Sequence, residues 1–332
     1  MVTIKMIARE CGLSTAAVSR ALNHLPGVSP ENAERVRRIA KEMGYIPNTA
    51  ARALKTNRSN IIGILYRNKL AHEFFSVVLE GILDEAERCG YELTFLSSNP
   101  GVSYADHARQ RQCAGVIVVQ GLLFDHDNVM TLVNSNIPTV SVEYEYPDGT
   151  MIVNDNIGAM EEIVRYLHDD MGHSRIAYIH GEICQVTNER LTGFYRGCRD
   201  CGITVPQEYV RQGLFRNPDA SAEQTRQLLA LPKPPTCILY PDDVSYLGGV
   251  CALEEMGRSI PGDLSTAGYD GTIVGQAFHP RLTTVRQDAE SMGASAANEL
   301  ARIVEAGGRA DIRRILVPGA LIPGETVRPI AQ

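Results

Sequence analysis

Ser14-Thr15-Ala16-Ala17-Val18-Ser19-Arg20-Ala21-Leu22-Asn23 begins two residues after Gly12, and its reading decides how the start of the chain folds. Ser14 is a helix N-cap, Val18, Leu22 and Ala21 fall on one inward face, and Thr15, Ala16 and Arg20 stay outside. Upstream, Thr3 caps a first helix with Ile4, Ile7, Ala8 and Cys11 at helical spacing. Gly12 ends that helix, because the tight turn into Ser14 needs a positive φ. Downstream, Ser29-Pro30 supplies an N-cap and a proline at the first helical position of a third helix, whose Val36, Ile39, Ala40 and Met43 complete a small core. Two helices across a glycine turn, the second with small residues and an arginine on its open face, form a helix-turn-helix. Thr15 and Ala16 let the backbone approach base edges, and Arg20 can pair with guanine or phosphate.

Charge supports this reading. Residues 1–60 carry ten basic groups against four acidic ones, or +6, so with −7 on the whole chain the remainder carries −13. A basic head on an acidic body confines polyanion binding to the head.

Val2-Thr3-Ile4-Lys5, Ala17 to Asn23, Val28-Ser29, Gly44-Tyr45-Ile46-Pro47-Asn48 and Ala51-Arg52-Ala53-Leu54 together resemble the DNA-binding headpiece and hinge of the LacI/GalR family of bacterial transcription regulators. The resemblance implies a headpiece over 1–47 and a hinge helix or linker over 48–59. It implies double-stranded operator DNA as partner, contacted by Thr3, Ser14, Thr15, Ala16, Ser19, Arg20, Asn23, Asn48, Ala51 and Leu54. Thr15, Ala16 and Arg20 would read the major groove, and Leu54 would be a wedge inserted at the central base step of the minor groove. Two positions depart from the pattern. Met6 stands where an acid is usual, which removes the reciprocal half of a capping box, and Ala17 stands where threonine is usual.

A chain of 332 residues, 44% hydrophobic, is long enough for ordinary packed domains behind this head. No stretch approaches the roughly 18 apolar residues of a membrane helix, and no secretory signal pattern opens the chain, so the expected location is cytoplasmic with no membrane partner. The eight scattered cysteines are then reduced thiols. Cys198 and Cys201 match C-x-x-C but fall in a helical run, Arg190 to Cys201, with no second pair for zinc.

After Ser59 the pattern changes to alternating strands and helices. Ile61–Leu65, Glu92–Leu96, Gly115–Val119 and Pro138–Val142 read as strands, with a helix over Phe74–Arg88. After a helix over Ile157–His168, a second series follows at Arg175–Ile179, Thr236–Tyr240 and Leu264–Tyr269. This is βαβ periodicity, which implies parallel sheets in two lobes with a ligand between them at the carboxyl ends of the strands.

This body also resembles the same family and, through it, the periplasmic sugar-binding proteins. Among the matching pieces are Phe74-Phe75, Asp155-Asn156, Gly172-His173-Ser174-Arg175, Glu189-Arg190, Asp242-Asp243, Gly268-Tyr269-Asp270 and Leu282 to Gln287. The fold class is thus an all-α helix-turn-helix headpiece plus an α/β, two-lobed, periplasmic-binding-protein-like core over 60–332. The N-lobe would take about 60–160 and 290–316, and the C-lobe about 161–288 and 317–328. By that resemblance Phe74, Phe75, Asp155, Arg190, Asp242, Asp270 and Gln287 line an effector cleft. An arginine fork and a carboxylate can bind adjacent hydroxyls while an aromatic ring covers a sugar's apolar face. Asp242 stands where asparagine is common, and its added negative charge favours a neutral sugar or polyol over a sugar phosphate; as an alternative, Asp242 caps the helix that begins beside it.

Signals for catalysis are weak. No phosphate-binding glycine loop occurs, His72-Glu73 lacks the second histidine of a zinc motif, and Asp125-His126-Asp127-Asn128 lacks the glycine and closing glutamate of a calcium loop. No enzymatic activity, cofactor or metal is expected, and His173 and His180 read as turn and strand-end residues. The expectation is a homodimeric, effector-controlled repressor without a leucine-heptad tail. A sugar-binding transport protein would leave the basic head unexplained, and a thiol oxidoreductase would rest on Cys198 and Cys201 alone.

Overall fold

Small side chains and caps set the first three helices. A computed structural model describes residues 2–22, 26–45, 59–66, 72–97, 101–119, 125–146, 149–308 and 311–330, which divide into two compact units, Met1–Ser59 and Asn60–Gln332. In the first unit α1 is Ile4–Cys11, α2 is Thr15–Leu22 and α3 is Pro30–Glu42. The Thr3 side chain accepts from the Met6 N–H at 3.4 Å, so the cap survives without its acidic partner. Gly12 sits at φ 63° and ends α1 by donating to Ala8 and Arg9 carbonyls. Ser14 Oγ accepts from Ala17 N–H at 3.1 Å and Ser29 Oγ from Asn32 N–H at 3.4 Å. Ile7, Ala8, Cys11, Val18, Ala21, Val36 and Ala40 form the buried core, with Ile4, Leu22, Ile39 and Met43 half-buried around it.

The second unit holds two six-stranded sheets. In the first, β2 (Glu92–Phe95), β1 (Ile61–Leu65), β3 (Gly115–Val119), β4 (Thr139–Val142), β5 (Thr150–Asn154) and β11 (Arg314–Val317) lie side by side in that order, every pair parallel. The central strands are continuous apolar runs because both faces are covered. On one face, helices Glu73–Arg88 and Ala289–Glu305 pack so closely that a Cβ on Gly81 would meet the Glu290 carbonyl at 2.2 Å, and one on Gly293 the Val78 carbonyl at 2.1 Å. The second sheet runs β7 (Val210–Gln212), β6 (Ile176–His180), β8 (Cys237–Leu239), β9 (Ser265–Asp270), β10 (Thr283–Arg286), β12 (Ala320–Ile322), parallel except for the β10–β12 pair.

In each sheet the strand order reverses direction, between β1 and β3 and between β6 and β8, which opens a crevice at their carboxyl ends. The chain passes between sheets three times, after Asn154, between Arg286 and Ala289, and between Val317 and Ala320. The first passage lies a few residues before position 160, where the sequence pattern set the lobe boundary, because Ala159 and Met160 already pack in the second core. The strands at 150–154, 210–212, 283–286, 314–317 and 320–322 were not legible in the apolar pattern. All five are at or next to a sheet edge, and four are only three or four residues long.

Candidate functional site

The open face of α2 comes first. Thr3, Ser14, Thr15, Ala16 and Arg20 are exposed and Ser19 is half-buried, while Val18 and Ala21 on the opposite face are buried. Arg35 and Arg37 brace the turns by donating to the Cys11 carbonyl at 2.7 Å and the Ala21 carbonyl at 3.5 Å. Asn23, Asn48, Ala51 and Leu54, with most of the hinge, lie outside the described residues.

The second candidate lies between the two sheets of the core. Arg190, one turn into the helix Gln185–Asp200, is 4% exposed. Its Nε donates to Asn156 Oδ1 at 3.0 Å, its Nη1 to the Pro241 carbonyl at 3.0 Å, and its Nη2 stands 3.9 Å from Asp270 Oδ1. The guanidinium carbon is 3.5 Å from the centre of the Tyr269 ring and 5.8 Å from that of Phe215. Asp270 accepts from Gln287 Nε2 at 2.6 Å. Burial drives the Asp270 carboxyl well above the ordinary carboxylate range, against the pull of Arg190, with Asp242 and Asp243 adding to the rise. Burial works against the Arg190 charge, but Tyr269, Asp270, Tyr178 and Glu143 hold it above its usual value.

Two cavities are lined by groups that hold this arginine, Asp270 in one and Asn156 in the other. One of about 440 Å³ is lined by Phe74 from the first lobe and by Asp270, Arg286 and Gln287 from the second. The other, about 270 Å³, is lined by Glu143, Tyr144, Glu145, Asn156, Gln185 and Glu189. Both sit at the carboxyl ends of strands, where an open α/β sheet holds ligands. Two contacts join the lobes beside them: Glu73 Oε1 accepts from the Ile273 N–H at 2.8 Å, and Arg314 bonds to Glu189. Asn154 Nδ2 adds a third by donating to the Tyr269 hydroxyl at 2.8 Å.

Residues 3–48 match the model of bacterial regulatory proteins of the lacI family, and residues 164–327 match that of a periplasmic binding protein-like domain. The HTH-type transcriptional repressor PurR of Erwinia tasmaniensis is 32% identical over 308 residues, covering 90% of this chain and 89% of the relative. That of Proteus mirabilis is 32% identical over 338 residues, covering 98% and 97%. The chain belongs to the LacI family. It is a DNA-binding transcriptional repressor with an effector-binding core. A Lac repressor dimer bound to operator and the anti-inducer ONPF has the same fold, with a TM-score of 0.79 at 24% identity over 98% of this chain and 99% of that one.

Within this LacI-family core the structure brings Arg190, Asp270, Gln287 and Phe74 to one place. Phe75 shares the first lobe's core with Phe74 but does not line the larger cavity; it stands edge-on to Phe74 at 4.9 Å and to His72 at 4.8 Å. Asp242, read as a cleft acid, is a helix cap: it accepts from Ser245 N–H at 2.8 Å, Ser245 Oγ at 2.9 Å and Arg216 N–H at 2.7 Å. Both oxygens are thereby occupied, because the buried helix start and the loop before it each leave a donor to satisfy. Asp155 likewise caps the helix Asn156–Arg165 through Gly158 N–H at 3.0 Å, and lines a separate cavity with Arg165 and Gly319. Sequence reasoning missed Tyr269, Phe215, Glu143 and Glu189. Tyr269 and Glu189 stand within the family-like motifs, yet only the fold shows that one stacks on Arg190 and the other bridges the lobes.

The remaining motifs have structural tasks. Asp125 caps the helix His126–Val133 by accepting from Asp127 N–H at 3.2 Å. His173 is fully buried between Thr236 Oγ1 at 2.9 Å and the Arg328 carbonyl at 3.2 Å. Burial pushes the Cys198 thiol up to about 12 and raises Cys201 as well, the opposite of a redox-active pair. Among the described residues no helix is long and apolar enough to cross a membrane.

Proposed function

We propose that this repressor binds its operator as a homodimer and that a small neutral polyhydroxy effector between the lobes sets its affinity for DNA. The observation that carries the proposal is the buried Arg190–Asp270 pair, oriented by Asn156, Gln287 and Tyr269, with Asp270 and Gln287 lining one cavity and Asn156 another. Arg190 keeps N–H donors for ligand hydroxyls, Asp270 offers acceptor lone pairs, and the Phe74 ring bounds the larger cavity.

Because Asp242 is a cap, the preference for a neutral ligand no longer rests on it. It rests on Asp270, Glu143 and Glu189, acidic groups that line the cavities: a phosphate beside them would add negative charge where burial already disfavours it, as the raised Asp270 and Glu143 carboxyls show. Effector bridging both lobes would strengthen or break the Glu73–Ile273 and Arg314–Glu189 links, and so change the angle at which each lobe pair presents its hinge. Thr15, Ala16 and Arg20 contact base edges, with Thr3, Ser14 and Ser19 toward phosphates. Asn23, Asn48, Ala51 and Leu54 extend that interface by family resemblance.

The test is a titration of the purified protein against DNA upstream of its own gene, at fixed salt, with a panel of neutral sugars, polyols, their phosphates and planar heterocycles. One neutral sugar or polyol should shift specific binding at least tenfold. A phosphate ester acting more strongly than its parent would overturn the ligand class.

A further inference from the structure

The Cys198-x-x-Cys201 motif has no place in the repressor mechanism, but the fold gives its second cysteine new neighbours. The helix that begins at Asn156 and the helix Gln185–Asp200 lie against each other along their length, because two glycines remove the side chains between them. A Cβ on Gly193 would stand 2.4 Å from the Ile157 carbonyl, and one on Gly197 would stand 2.9 Å from Val164 Cβ. One turn further along, Cys201 faces the end of the first helix. There the α-helical turn widens into a π-helical one over Tyr166–Asp170, an uncommon conformation that recurs at functional sites. Its consequence here is that two successive residues, His168 and Asp169, both come to Cys201: ligand-capable atoms of all three lie within 4.8 Å of one another. His168 Nδ1 and Asp169 Oδ1 are 2.7 Å apart. Arg165 and Asp200 are the other charges acting on the thiol, one of each sign.

We propose that His168, Asp169 and Cys201 form a binding site for a divalent cation of zinc type. One thiolate, one imidazole and one carboxylate are the donors that zinc takes, with bonds of about 2.0–2.3 Å, and three protein ligands leave a fourth position for water. A hard cation such as magnesium is excluded by the sulfur and the imidazole. Closing the site needs only side-chain rotation, since tetrahedral bonds of that length put ligand atoms roughly 3–4 Å apart. Coordination replaces the Cys201 S–H proton, which leaves to solvent, and puts a positive charge where Asp169 and the thiolate would otherwise repel. The ion would staple the far ends of the two helices whose opposite ends carry Asn156 and Arg190, about 16 Å away along the helix axis.

The test uses the full-length protein, freed of metal and reduced, titrated with Co²⁺ as a spectroscopic probe. One equivalent should bind with a thiolate-to-cobalt charge-transfer absorption that Zn²⁺ abolishes by competition. Cys201→Ser should remove the absorption, His168→Ala and Asp169→Asn should weaken Co²⁺ binding at least tenfold, and Cys251→Ser, which changes an exposed thiol on another helix, should leave it unchanged. Metal-free circular dichroism melts identify any variant that fails to fold; Asp169 is exposed, so Asp169→Asn keeps the test open if Cys201→Ser misfolds. Absence of the absorption in the unmodified chain, its survival in Cys201→Ser, or unchanged affinity in both His168→Ala and Asp169→Asn would overturn the site.

Discussion

The headpiece and the cleft are built on opposite plans. Thr15, Ala16 and Arg20 stand exposed on one helix face, within six residues of sequence, above a core that holds the helix in place. Asn156, Arg190, Asp270 and Gln287 are spread over more than a hundred residues of sequence, are almost fully buried, and bond to one another. A surface that reads a rigid polymer needs only a correctly aimed helix. A cleft that reads a small molecule must hold charged groups out of water, and so must bond each of them to its neighbours. DNA contact and effector contact should therefore fail separately, and for different physical reasons.

The largest expected effect is on the exposed side. Arg20→Ala removes a base or phosphate contact worth about 1–3 kcal/mol in each half-site, so specific operator affinity should fall by at least about thirtyfold in an anisotropy titration. The melting temperature should stay within a degree or two, because Arg20 is outside the buried core. Next, Arg190→Ala and Asp270→Asn should abolish the effector's influence while operator affinity stays within about threefold. An Arg190→Ala protein that responds normally to effector would remove the cleft assignment.

Smaller effects sharpen the distinction between cleft groups and scaffold. Asp242→Ala removes a cap and should cost about 1–2 kcal/mol in denaturant unfolding. Asp242→Asn keeps a capping oxygen and should leave effector affinity within about twofold, whereas a tenfold loss would return Asp242 to the ligand site. Asp243 is fully buried and accepts from Thr272 N–H, Thr272 Oγ1 and Thr284 Oγ1 at 2.6, 3.1 and 2.7 Å. Burial nonetheless pushes its carboxyl up to about 7. A folded-state value above the unfolded one, about 4, means that this contribution to stability is full below about pH 4 and lost as pH rises to about 7. The melting-temperature gap between the natural protein and Asp243→Asn should narrow across that window and then level off.

The same contrast explains what the sequence disclosed. Headpiece structure is local: N-caps at Thr3, Ser14 and Ser29, the glycine at the turn and a 3.6-residue apolar period are enough to place three helices and their open face. The central strands were legible because parallel sheets covered on both faces leave long apolar runs such as Gly115–Val119. Edge strands such as Val210–Gln212, with a half-exposed polar composition, carry no such signal. In the cleft, the family resemblance pointed to Arg190 and Asp270, but caps and ligands draw on the same residue types. Nothing short of the fold separates Asp242, which holds a helix start, from Asp270, which faces an arginine. Tyr269 was visible as a neighbour of Asp270 but not as the ring beneath Arg190, since that pairing joins positions 79 residues apart in sequence.

The most direct test of the account is operator titration of the natural protein, Arg20→Ala and Arg190→Ala, each with and without the active effector at fixed salt. The account predicts that the natural protein binds and responds, Arg20→Ala loses specific binding while still binding effector by calorimetry, and Arg190→Ala binds operator without responding. Loss of effector binding in Arg20→Ala, or an intact response in Arg190→Ala, would contradict the division of labour between an exposed DNA-reading helix and a buried effector cleft.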